Sequence, residues 1–107
     1  MGLTKTQVFN KQQNQIAEFA KAFSHPARVA ILQHLIKKKA CICGDLVDVL
    51  PLSQSTISQH LKELKRIGII KGEVEGPRVC YCIDEKNWAK AKASIGEVFN
   101  LYELSWC

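Results

Sequence analysis

The run Ser53-Gln54-Ser55-Thr56-Ile57-Ser58-Gln59-His60-Leu61-Lys62-Glu63-Leu64 carries the clearest chemistry in this sequence. Ile57, Leu61 and Leu64 recur at i, i+4 and i+7, the spacing of one buried helical stripe. That phase sets the opposite face, which holds Gln54, Ser55, Ser58, Gln59 and Lys62. Glutamine makes paired hydrogen bonds to adenine, and serine donates or accepts at several base edges. A solvent face chosen for helix stability alone would carry Ala, Glu and Lys in place of so many Ser and Thr. Gln54, Ser55, Ser58 and Gln59 are therefore the candidates for reading base edges in the major groove of double-stranded DNA. Thr56, His60, Lys62 and Lys65 are candidates for phosphate or sugar contacts, which position a protein without specifying sequence. Ser53 stands at the helix start on the same surface. The plainer reading of Ser53, Ser55 and Thr56 is a first turn that uses Ser and Thr as caps. The plainer reading of His60 is a half-buried helix residue. Arg78 sits beside a hairpin turn, where it either reaches a phosphate or the minor groove or stands as a solvated strand-end arginine.

The cysteines are the second group with chemistry. They lie at 41, 43, 80, 82 and 107, so four of the five form two C-x-C pairs. No C-x-x-C occurs and no Cys/His arrangement has zinc-finger spacing. In a cytosolic chain these are expected to be mainly free thiols. Cys80 and Cys82 project from one face of a strand with Cα atoms about 6.6 Å apart, near the upper limit for a bridge between them. They are expected to act as small apolar filling. Cys41 and Cys43 are the thiol candidates for an inducer, either a soft metal or arsenite held with a third thiol from elsewhere, or an oxidant; the remaining alternative is that no small molecule is sensed through cysteine. No metal-ligand set is assigned, and no cofactor is required.

An enzyme is not expected, and no catalytic residue is assigned. His25, His34 and His60 are scattered, and no nucleophile–base pair follows from spacing. A C-x-C oxidoreductase would want a thioredoxin-like βαβ context. The order of elements read below is different. A protein-interaction module without DNA binding is the other alternative. It would place apolar anchors where Gln54, Ser55, Ser58 and Gln59 stand.

The elements that must position these residues follow from periodicity and punctuation. Residues 5–23 read as a first helix with Phe9, Ile16, Phe19, Ala20 and Phe23 on its apolar face. Ser24 is expected to cap a second helix that has Pro26 in its first turn and runs to Lys38. Its core face is Val29, Ile31, Leu32, Leu35 and Ile36. Residues 40–44 read as a connector, and Asp45 to Leu50 as a short third helix with Leu46, Val49 and Leu50 inward, stopped by Pro51. The fourth helix runs from its cap Ser53 to about Ile67, and Gly68 ends it in the left-handed conformation. Ile69 to Glu75 and Arg78 to Ile83 read as a hairpin turning at Gly76-Pro77. Asp84 caps a last helix, 85–105, with Trp88, Ala91, Ile95, Val98 or Phe99, and Tyr102 along one stripe. The fold class is mainly α with a β-hairpin, in the order α-α-α-α-β-β-α, a winged helix-turn-helix in a single domain over 1–107.

Bulk properties agree with this. A chain of 107 residues supports one modest core. The net charge of +5 favours polyanionic partners, because Lys and Arg that neutralise phosphates release counterions. No apolar run is long enough for a membrane span, and no apolar run follows the charges of the N-terminal segment as a secretory signal would require. A cytoplasmic location is the expectation.

The same run from Ser53 to Leu64 resembles the recognition helix of ArsR/SmtB-type winged-helix repressors. Phe23-Ser24-His25-Pro26-Ala27-Arg28 looks like that family's start of the second helix. Gly44-Asp45-Leu46-Val47 looks like its third helix, and Ile67-Gly68-Ile69-Ile70 like its helix-to-wing junction. The resemblance covers residues 16 to 84. It implies a homodimer through the first and last helices, with recognition helices about 34 Å apart on inverted half-sites, and repression by occluding a promoter. The family's thiol-type metal sensors carry C-x-C three and one residues before the acidic residue of the third helix. Here Cys41 and Cys43 lie four and two before Asp45. One residue of shift turns a helical side chain by about 100°. The family's other metal position uses histidine on the last helix, and this last helix has none.

Overall fold

The computed structural model describes residues 8–44, 46 and 48–102. The first helix, α1 (Lys11–Ala20), opens at Asn10. The Asn10 side chain accepts from the Gln13 amide at 2.8 Å, and the Gln13 side chain accepts from the Asn10 amide at 3.0 Å. This reciprocal cap satisfies two amides that a helix start leaves open. It also sets the start of α1 at residue 11, so that Phe9 and Asn10 lie outside it; residues 5–7 lie outside the described part. A 3₁₀ turn over Lys21–Phe23 continues α1, and Phe19 and Ala22 carry its buried side.

The second helix, α2 (Pro26–Lys38), is capped by His25, not by Ser24 as expected. The residue before a proline is pushed to extended backbone, and His25 sits at φ −142, ψ 136. That is the conformation a cap needs. Its Nδ1 accepts from the Ala27 amide at 3.0 Å. Ser24 keeps helical angles, and its hydroxyl donates to the Lys21 carbonyl at 2.8 Å. Ile31, Leu32 and Leu35 are buried as expected, but Ile36 is 47% exposed.

Residues 40–44 are more than a connector. Ile42–Cys43 form a strand, β1. It pairs antiparallel with Cys80–Ile83, in register Ile42 to Tyr81 and Cys43 to Cys80. The sheet therefore has three strands instead of the two of a lone hairpin. With the hairpin strands named β2 (Ile70–Glu73) and β3 (Cys80–Ile83), its order is β1-β3-β2. Two residues carry too little alternation to announce a strand; only the partner β3 reveals it.

The short third helix is likewise corrected. Among the described residues of 45–50 there is a single turn, in which the Val49 and Leu50 amides each donate to the Leu46 carbonyl at 2.9 Å. Asp45 and Val47 lie outside the described residues. Leu46 points inward at 1% exposure, whereas Val49 is half exposed at 51%. Leu50, four residues on from Leu46, is half-buried and packs against the core as well, so of the three expected inward residues only Val49 points out.

The recognition helix read from sequence is α3 (Gln54–Ile67), and Gly68 closes it at φ +95. A Cβ there would stand 2.9 Å from Asn87 Nδ2, which donates to the Gly68 carbonyl. The last helix, α4 (Glu85–Asn100), starts at Asp84, whose Oδ1 accepts from the Asn87 amide at 3.0 Å. The core lies where α2 and α3 meet the sheet. Ile31, Leu32 and Leu35 of α2 pack with Ile57, Leu61 and Leu64 of α3, with Leu46, Ile69 and Ile70, and with Tyr81 of β3. α1 lies along α4, where Gln12 Nε2 donates to Glu97 at 3.0 Å.

Candidate nucleic-acid interface

Ile57, Leu61, Leu64 and Ile67 are all buried on one side of α3. Burial of these four holds the helix by its apolar stripe and turns Gln54, Ser55, Gln59, Lys62 and Lys65 to solvent. Ser58 is half-buried between the two faces. The polar face expected from the spacing is thus the face presented.

The first turn uses its hydroxyls among themselves. Ser53 Oγ accepts from the Thr56 amide at 3.3 Å and donates to Thr56 Oγ1 at 2.9 Å. It lies 3.2 Å from Ser55 Oγ. Ser53 and Thr56 are therefore engaged in capping, and Thr56 is half-buried. Gln54 and Gln59 are exposed glutamines with long reach, five residues apart along the helix.

His60 is half-buried against α2. Arg28 Nε donates to His60 Nδ1 at 3.2 Å, and the His60 ring lies over His25 with centroids 4.6 Å apart. Accepting at Nδ1 places the neutral ring's proton on Nε2, which is a donor. Burial depresses the His60 pKa below its ordinary 6.5, and the neighbouring His25 and Arg28 charges push the same way. The sign follows from linkage: the unfolded chain takes up the proton at higher pH than the folded one. Folding stability is therefore full above about pH 6.5 and falls as the pH drops below it. We expect melting curves at pH 7.5 and 5.5 to differ by less in His60→Gln, which keeps an acceptor for Arg28 but does not titrate. Equal differences in both proteins would remove His60 as the cause. Arg28 is a residue that sequence reasoning left without a role, since nothing in the spacing joins position 28 to position 60.

Cations frame the helix. Lys62 pairs with Glu75 of the wing turn at 3.2 Å, tying α3 to the hairpin across exposed surface. Lys65 is exposed on α3, and Arg78 is exposed beside the turn. Arg66 bonds Glu63 at 3.0 and 3.1 Å and also pairs with Glu18 of α1. The Arg66 guanidinium and its hydrogen bonds hold the Glu63 and Glu18 carboxyls below the usual carboxylate range. Arg66 is thus a brace between helices and not a loose surface charge.

The cysteines depart from expectation. They are not free thiols among the described residues: Cys41 is bridged to Cys82 and Cys43 to Cys80. Nor are Cys80 and Cys82 apolar filling. Among the described residues no group of three or more His, Cys, Asp or Glu side chains is arranged to hold a metal ion. The two C-x-C segments have equal spacing, and that equality was the available signal. Antiparallel strands bring such pairs into register, but only once β1 is known to be a strand.

A family profile described as a helix-turn-helix domain matches residues 23–73, which span α2, β1, the turn, α3 and β2. The chain is 38% identical over 72 residues to the HTH-type transcriptional repressor SmtB of Mycobacterium tuberculosis. That match covers 67% of this chain and 53% of the repressor, so the chain spans about half that relative's length. It is 36% identical over 88 residues to the HTH-type transcriptional regulator YgaV of Escherichia coli, covering 82% of this chain and 86% of the regulator. The fold is similar to that of HlyU from Vibrio cholerae, with TM-score 0.64, 30% identity, and 88% and 98% of the two chains covered. The SmtB and YgaV relatives bear the names of transcriptional regulators, not of enzymes. With α3 offering a polar face beside a three-stranded wing, the chain belongs to the ArsR/SmtB family of winged helix-turn-helix repressors.

Proposed function

We propose that the protein is a sequence-specific DNA-binding transcriptional repressor that works as a homodimer in the cytoplasm. The observation that carries this reading is the burial of Ile57, Leu61 and Leu64, which commits Gln54, Ser55 and Gln59 to the outer face of α3. Gln54, Ser55, Ser58 and Gln59 read base edges. Ser53, Thr56, His60 Nε2, Lys62 and Lys65 meet the backbone, and Arg78 reaches it from the wing. The net charge of +5 supplies the non-specific attraction. No cofactor is required. An inducer acting through sulfur, whether a soft metal, arsenite or a small molecule that changes the redox state of the cysteines, releases the operator.

The dimer reading rests on the outer side of α1 and α4. Phe99 is 75% exposed and Leu101 81%, with Phe23, Val98 and Tyr102 also open. Ala20, Phe23, Trp88, Ile95 and Phe99 line an apolar groove of about 560 Å³ between the helices. A soluble chain rarely leaves such a surface uncovered, and a two-fold dimer would bury it against its own copy.

The test is selection of binding sites from random duplexes, followed by mobility shift and sedimentation. The expected result is a dimer that retards duplexes with inverted repeats and does so less at higher salt. No retardation at low salt by a folded dimer overturns the DNA reading. Phe99→Glu with Leu101→Lys is expected to give a folded monomer that loses the tight complex. A variant that stays dimeric would move the interface elsewhere.

A further inference from the structure

Two C-x-C segments from distant parts of the chain face each other in the sheet. Cys41 is bridged to Cys82 and Cys43 to Cys80, with Cα atoms 4.2 and 4.1 Å apart. Between them Ile42 pairs with Tyr81, whose side chain is buried on the inner face. Side chains alternate along a strand, so all four sulfurs share the outer face. The Gly44 amide donates to the Val79 carbonyl at 2.9 Å. That bond marks 44 and 79 as a hydrogen-bonded pair, so Cys43 with Cys80 is a non-bonded pair, the kind with the closer approach. The period of two makes Cys41 with Cys82 the same kind. The sheet itself sets both sulfur pairs side by side at its narrowest positions.

The surroundings are suited to exchange. Cys41 and Cys43 are exposed. A groove of about 520 Å³ runs along the Cys41–Cys82 bridge, and Lys39, Lys71, Glu85 and Trp88 are among its walls. Two ammonium groups against one carboxylate leave it positive, which draws an anion and stabilises a thiolate. We propose that this four-sulfur cluster is a thiol–disulfide exchange site for anionic low-molecular-weight thiols and their disulfides. Cys41–Cys82 reacts first, and Cys43–Cys80 holds β1 in place meanwhile.

An incoming thiolate attacks one sulfur of Cys41–Cys82, forms a mixed disulfide with it and expels the other as a thiolate. A second small thiolate attacks the small molecule's own sulfur in that mixed disulfide. It leaves as the low-molecular-weight disulfide, and the protein sulfurs take up protons. Two small thiols are oxidised to one disulfide, and one protein bridge is reduced to two thiols. The reverse sequence, with the small disulfide as oxidant, forms the bridge again.

The bridges matter because β1 pairs through only two residues. A two-residue slip of β1 along β3 would match Cys43 with Cys82 or Cys41 with Cys80 and leave two sulfurs unpaired. Two bridges forbid that slip. They thereby hold the turn that leads into Ser53 and the root of the wing. Resting on the DNA-reading role proposed above for α3, the bridged form binds its operator more tightly, because less of the contact surface must be ordered on binding.

The experiment titrates the full chain in buffers of reduced and oxidised glutathione, then alkylates, digests and maps the cysteines by mass. The expected result is two steps, Cys41–Cys82 opening before Cys43–Cys80. Bridges within a C-x-C, or bridges between chains, overturn the proposal. So does a reduced protein that takes up Cd²⁺ and then resists oxidised glutathione. The groove is tested by rate. Lys39→Gln with Lys71→Gln should slow reduction by glutathione about threefold or more beyond any slowing of 2-mercaptoethanol, whose thiolate lacks the further negative charge of glutathione. If that variant does not fold, high salt on the unmodified protein should slow glutathione more than 2-mercaptoethanol. Equal effects on both thiols overturn the role of the groove. Mobility shift then compares the two redox forms, with about tenfold weaker binding expected when reduced. Equal affinity overturns the link from sulfur to DNA. Absence of binding in both forms overturns the DNA reading and leaves the mapped exchange standing.

Discussion

Replacing Gln54 and Gln59 together by alanine is expected to cut discrimination between the selected operator and random duplex at least about tenfold while leaving the protein folded. Both side chains are exposed on α3, so neither contributes to the core. A bidentate glutamine–adenine contact is worth about 1–3 kcal/mol against a wrong base. Loss of two such contacts costs between about one and several factors of ten in specific affinity. The salt dependence should stay nearly the same, because no phosphate contact is removed. Lys65→Ala is the counterpart: it should weaken operator and random duplex about equally and lower the salt slope by about one. The measurement is competition mobility shift at two salt concentrations. An unchanged ratio of operator to random affinity in the glutamine variant would show that the bases are read elsewhere.

Leu64→Ala is expected to cost about 2–5 kcal/mol of folding stability. Leu64 is fully buried and packs with α2 and the sheet at the centre of the core. Its loss leaves a cavity between elements that cannot collapse freely, since α3 is also pinned by Ile57, Leu61 and Ile67. For a domain whose total stability is about 5–15 kcal/mol, the variant sits near the edge of folding. Urea titration should show a lower midpoint with an unchanged slope. Ile36→Ala is the control, because Ile36 is 47% exposed and should change stability by about 0.5 kcal/mol or less. Comparable losses at both positions would mean that Ile36 is covered in solution, as a partner chain on that face would make it.

Ile36 illustrates how far the pattern could be read. Along α2 the apolar residues are contiguous, at 29, 31, 32, 35 and 36, and periodicity marks a broad face. It does not say where that face ends. The neighbours of α2 decide this, and they cover Ile31, Leu32 and Leu35 but not Ile36. On α3 the stripe is narrow and the rest is polar, so the spacing alone predicts both the buried and the presented face.

The caps divide the same way. Ser53, Asp84 and Gly68 act as their residue types predict, because a cap is a local hydrogen bond or a local backbone angle. At 24–25 two local rules compete, and the constraint imposed by Pro26 on His25 outweighs the general preference for serine. Arg28 and His60 are 32 positions apart and meet only because α2 and α3 pack.

By itself, then, the sequence determined the recognition helix, its polar face and the hairpin after it, since each depends on periods and turns within a few residues. Tertiary structure decided the fate of the sulfurs. The spacing of Cys41 with Cys43 and of Cys80 with Cys82 was visible from the start. That the two pairs bridge each other was not, because a two-residue strand has no pattern of its own. β1 exists only where β3 offers it an edge and where Ile42 can pack against the core.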